Sequence, residues 1–114
     1  MKLEVRENLE SILQQGREIQ SFVTGMGLDS YMKDSKTRLA VERSFEIIGE
    51  ALNRASKVDP ETIEAIQNYR QIISFRNILA HCYDNIEDKI VWGIIEETLP
   101  VLLEKVESLL IVAG

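Results

Sequence analysis

A chain of 114 residues, 45% hydrophobic and 28% charged with a formal net charge of −6, is long enough to bury its own core and too apolar to stay disordered. The acidity counts against a general nucleic-acid binder. One cysteine excludes an internal disulfide framework, and no run approaches the roughly 18 apolar residues of a membrane span. Residues 1–114 are expected to form a single domain. The charged start Met1-Lys2-Leu3-Glu4 is unlike a signal peptide, so a reducing, cytoplasmic setting is the expectation.

In chain order, residues 2–23 read as an amphipathic helix, with Val5, Leu9, Ile12, Leu13, Gly16, Ile19 and Val23 at three-and-four spacing. Gly25-Met26-Gly27 ends it, and Asp29 to Asp34 is a connector with one helical turn around Tyr31 and Met32. A second long helix runs from Ser35 to Ser56. It buries Val41, Phe45, Ile48, Ala51, Leu52 and Ala55 and turns Arg43, Glu46, Ile47, Glu50 and Arg54 the other way. Asp59-Pro60-Glu61 starts a short third helix, by an N-cap acid followed by proline at the first helical position, and a break is expected near Gln67–Tyr69.

A helix from Arg70 to Tyr83 follows. Asp84-Asn85 then caps a final helix from Ile86 to Leu110, whose stripe is Val91, Ile95, Leu99, Leu102, Val106 and Leu109. Pro100 is expected to kink that helix or to remove one backbone hydrogen bond. No alternating strand pattern or repeat occurs. The fold class is therefore all-α: an antiparallel up-and-down bundle of four main helices plus short ones. The acidity gathers in the last helix, while residues 69–83 hold Arg70 and Arg76 and no acid.

Residues 76–83, Arg-Asn-Ile-Leu-Ala-His-Cys-Tyr, contain the only histidine and the only cysteine. With Arg76 at zero on a helical wheel, Ile72, Phe75, Ile78, Leu79 and Cys82 fall within an apolar sector between about 200° and 320°. Arg76, Asn77 and His81 lie on the other side, a polar shelf with only the small Ala80 between the arginine and the histidine; Tyr83 sits on the rim. The spacing alone has a plain reading, since a histidine in a last helical turn interacts favourably with the helix dipole. Cys82, on the apolar side, reads as an inert buried thiol. One histidine and one cysteine are too few for a metal site. Gly25, Gly27 and Gly49 make no phosphate loop, and no cofactor is implied.

Arg76-Asn77-x-x-x-His81-x-Tyr83 resembles the R-x4-H-x-Y signature of HepT-like toxins in the HEPN superfamily. Arg38-Leu39-Ala40-Val41 and Ile48-Gly49-Glu50-Ala51 are similar to that family's second helix. The resemblance runs along nearly the whole chain. It implies a HEPN-like helical bundle that dimerises and a metal-independent ribonuclease site, with Arg76 and His81 as the catalytic pair and Asn77 as a supporting polar group. It also implies a toxin–antitoxin partner, an MntA-like nucleotidyltransferase that uses ATP to place AMP on Tyr83. A non-catalytic HEPN module that binds a nucleotide or a protein partner is the alternative.

The chemistry is compatible with these residue types. RNA carries its own nucleophile in the 2′-hydroxyl; histidine moves protons near neutral pH, and arginine holds two phosphate oxygens at once. A two-fold dimer would supply a second histidine to the same cleft. The charged side of the second helix reads either as a solvated face or as a cleft wall, with Glu50 positioning Arg76 and Arg43 or Arg54 holding RNA phosphates.

Overall fold

The computed structural model describes residues 1–81 and 87–113, with His81 described by its backbone. The described residues form α1 (Leu3–Phe22), α2 (Leu28–Lys33), α3 (Ser35–Val58), α4 (Pro60–Glu64), α5 (Tyr69–His81), α6 (Asp88–Gly93) and α7 (Leu99–Ala113). A π-helical stretch, Ile94–Thr98, joins the last two. No strand occurs among the described residues, and the all-α bundle expected from the periodicity is what the chain forms. No described helix is long and apolar enough to cross a membrane.

α3 is the central beam. Its 24 residues span about 36 Å, most of the molecule's 41 Å length. α1 packs along one flank and α5 along the other, α7 lies against α1, and α2 bridges α3 and α6. The shared core takes Leu9 and Ile12 from α1, Phe45, Ile48 and Leu52 from α3, Ile72 and Leu79 from α5, and Val91, Leu99 and Val106 from the C-terminal helices.

Local chemistry sets the boundaries. Asp34 caps α3 by accepting from the Thr37 N–H at 3.0 Å, and Asp59 caps α4 in the same way through Thr62. α3 runs to Val58, two residues past the expected Ser56. It stops there because Pro60 drives the preceding Asp59 out of helical conformation, to φ −142° and ψ 77°. Gly25 turns the chain after α1 with φ +79°, and Asn68 adopts φ +64° before α5, a left-handed conformation that asparagine tolerates. The break thus falls at 65–68, and α5 begins at Tyr69 rather than Arg70.

Two expectations are refined and one is corrected. The helical turn expected around Tyr31 and Met32 is α2, and Tyr31 is fully buried on it, with its ring 5.2 Å from that of Trp92. The final helix runs without a gap from Asp88 to Ala113, as expected, but it is not uniformly α-helical. Pro100 has no N–H to give, and the preceding ladder widens so that the Leu99 N–H reaches the Ile94 carbonyl five residues back, which makes the π stretch. Ile78, assigned to the apolar stripe, is 48% exposed, because α5 buries a narrower face built from Ile72, Phe75 and Leu79 against α3.

Candidate functional site

The site is built on the α3–α5 seam. Phe75 meets Phe45 edge-on at 5.4 Å, and Ile72 and Leu79 sit below it in the core. This packing fixes the rotation of α5 and brings Arg76 to the edge of the seam, instead of onto an outward shelf. The stem of Arg76 lies against Gly49 of α3, so closely that a Cβ on Gly49 would be 2.2 Å from the arginine's Cβ and 2.6 Å from its Cγ.

The head of Arg76 is held on two sides. Its Nη1 donates to Asn77 Oδ1 at 2.7 Å and its Nη2 to Glu50 Oε1 at 3.4 Å. Nε is buried and has no hydrogen-bond partner among the described residues. The side chain as a whole is 29% exposed, and with Nε buried any approach to the guanidinium would be from its Nη edge. An oxyanion approaching that edge would meet two charged donors whose direction is already set.

Asn77 is exposed beside Arg76. His81 ends α5, and helical register places its backbone about 7.5 Å along the axis from that of Arg76 and just over one turn beyond Asn77. The His81 imidazole lies outside the described residues, as do Cys82 and Tyr83. Glu50 is brought to the arginine as expected. Arg43 is paired with Glu46 on its own helix at 3.1 Å, and Arg54, one turn beyond Glu50 on α3, donates to Asn8 Oδ1 of α1 at 3.2 Å. Asn8, buried and donating in turn to the Glu4 carbonyl, is with Ser44 one of two buried polar residues that periodicity missed among the described residues.

Gly49 was legible only as part of a resemblance. Its signal in the sequence is a glycine in the interior of a 24-residue helix, where any other residue except proline would form helix better. Among the described residues no group of three or more histidine, cysteine, aspartate or glutamate side chains is placed to hold a metal ion.

Fold and site together define an all-α protein with an arginine held at the seam of two core helices, five residues ahead of its sole histidine. The family model described as Ribonuclease HepT-like matches residues 12–109, and the chain belongs to that family, the HepT-like branch of HEPN proteins. The chain is similar to the Methanocaldococcus jannaschii protein named "Putative RNase MJ0127", 33% identical over 114 residues that cover 96% of this chain and 89% of the relative. It is also similar to "Probable ribonuclease HepT" of Thermococcus cleftensis, 30% identical over 112 residues that cover 96% and 98% of the two chains. "Putative RNase TTE0752" of Caldanaerobacter subterraneus is 31% identical over 105 residues, 92% of this chain and 93% of the relative. No solved structure matches the chain.

Proposed function

We propose that this protein is a ribonuclease toxin that cleaves RNA without a metal, through Arg76 and His81 of two copies facing one cleft. The observation that carries the reading is the Arg76 head, held by Glu50 and Asn77 at the exposed edge of the seam, in a member of the Ribonuclease HepT-like family. The names of the similar proteins support the same activity.

In this reading the RNA 2′-hydroxyl attacks the adjacent phosphorus and its proton passes to the imidazole of one His81. The bond from phosphorus to the 5′-oxygen breaks, and the leaving oxygen takes a proton from the protonated His81 of the second copy. Arg76 holds the non-bridging oxygens while negative charge builds on them. The products are a 2′,3′-cyclic phosphate and a 5′-hydroxyl. Asn77 keeps the guanidinium directed, Glu50 anchors it from α3, and Arg43 and Arg54 contact phosphates further along the strand. Tyr83 is the point of control: AMP attached there by an MntA-like nucleotidyltransferase would bring a phosphate to Arg76 and block the cleft.

The reading is tested by incubating the purified protein with end-labelled RNA and with DNA of the same sequence, in EDTA. RNA cleavage is expected, DNA should stay intact, and His81→Ala and Arg76→Ala should each lose at least about 100-fold in rate. Tight nucleotide binding with no cleavage would support the non-catalytic alternative and overturn the proposal.

A further inference from the structure

We infer that Gly49 is a positioning residue for Arg76: its missing side chain is the seat that receives the arginine's stem and so decides where the guanidinium stands. The catalytic consequence rests on the ribonuclease reading above, whereas the seat itself is a property of the α3–α5 seam.

Gly49 lies in the interior of α3, between the fully buried Ile48 and the half-buried Glu50. Its backbone is ordinary helix, since Gly25 is the positive-φ glycine among the described residues, so conformational freedom does not explain it. Space does. Elsewhere an added Cβ meets nothing, as at Gly93, or meets the far end of a flexible chain, as at Gly16, where the neighbours are Leu103 Cδ2 at 2.3 Å, Cδ1 at 2.9 Å and Cγ at 3.0 Å.

At Gly49 the neighbours are the Cβ and Cγ of Arg76, at 2.2 and 2.6 Å. Cβ is fixed to the α5 backbone and has no rotamer to escape into. A methyl at residue 49 therefore forces α5 away from α3 by about 1–1.5 Å to restore normal carbon–carbon distances. The Nη2–Glu50 contact is already long at 3.4 Å and breaks with such a shift. Displacement of this size at a charge-stabilising group is enough to cost up to about 100-fold in rate. Glycine and glutamate at 49 and 50 thus act together, one admitting the stem and the other holding the head.

The test compares Gly49→Ala with Gly16→Ala, at a temperature where circular dichroism shows each variant folded. Gly49→Ala should lower kcat on RNA about 10–100-fold with KM within about threefold, while Gly16→Ala stays within about threefold of the unmodified protein on both. Melting curves of Gly49→Ala are then taken in the unmodified protein and in Arg76→Gly, which has no Cβ to meet. The substitution should depress the melting temperature in the first and spare it in the second, a coupling expected only of residues in contact.

Wild-type kcat in Gly49→Ala, or equal thermal losses in both backgrounds, would overturn the inference. If Gly49→Ala alone fails to fold, a folded Gly49→Ala/Arg76→Gly protein supports the seat and an unfolded one refutes it. Should the unmodified protein leave RNA uncut, the ribonuclease reading falls, and the two melting comparisons still decide the seat.

Discussion

Glu50 accepts a hydrogen bond from Arg76 across the α3–α5 seam at 3.4 Å, one residue after the glycine on which the arginine's stem rests. With side chains 29% and 35% exposed, the pair is solvent-screened and adds no more than about 1 kcal/mol to stability. Its value is directional. Glu50→Ala should therefore lower the single-turnover rate of RNA cleavage about 3–10-fold while changing the urea unfolding free energy by less than about 1 kcal/mol. A large stability loss at unchanged rate would make Glu50 a structural residue instead.

The response of stability to pH follows from three carboxyls. Burial, with Asp88 and Glu46 nearby, holds Glu42 above the ordinary glutamate range, against the opposing pull of Arg38. Its charged form is the costlier one in the fold, so this group adds stability as pH falls from neutral through its raised pKa toward the ordinary value. Asp34 and Asp59 behave oppositely. Hydrogen bonds from Thr37 and Thr62 hold them below the usual aspartate range, so their contribution is complete above about pH 4 and is lost as pH falls through the lowered values. Urea unfolding at a series of pH values should show stability gained on mild acidification and lost below about pH 4. Glu42→Gln should remove the gain and leave the acid loss; an unchanged profile in that variant would contradict the assignment.

Tyr31 plugs the space beneath Trp92, but its hydroxyl is buried with no partner among the described residues. Burial, reinforced by Glu42 and Asp88, drives the phenol pKa well above its usual value. Tyr31→Phe keeps the ring and removes the orphaned group, so it should be neutral or stabilising by up to about 1–2 kcal/mol. Tyr31→Ala should cost about 3–5 kcal/mol through the cavity it leaves. Denaturant unfolding measures both, and a clear loss in Tyr31→Phe would show that the hydroxyl is satisfied.

One histidine per chain makes the proposed cleft incomplete in a single copy. Specific activity on RNA should therefore fall on dilution, in step with the loss of dimer seen by light scattering. A monomer that cleaves at full rate would rule out the shared site.

How far the sequence carried the structure depends on the kind of signal. Helices with clean spacing, such as Val5-Leu9-Ile12 and Val41-Phe45-Ile48-Leu52, were legible because burial follows the 3.6-residue period, and Asp59-Pro60 marked its own helix start. The π stretch was hidden because Pro100 announces a lost hydrogen bond without saying whether the helix kinks or widens. Arg76 was readable as a candidate but its placement was not: a helical wheel measures angle, and only the absence of a side chain at Gly49 lets α3 draw the arginine into the seam. The link from Arg54 to Asn8 was hidden for a similar reason, since it depends on a residue 46 positions away in the chain.

End-group analysis of the cleaved RNA bears most directly on the claim that Arg76 and His81 use the substrate's own hydroxyl. Mass spectrometry of the fragments should find a 2′,3′-cyclic phosphate and a 5′-hydroxyl, and a single 2′-deoxy substitution at the scissile nucleotide should abolish the cut. Fragments ending in a 3′-hydroxyl and a 5′-phosphate, or efficient cleavage beside the deoxy nucleotide, would contradict it.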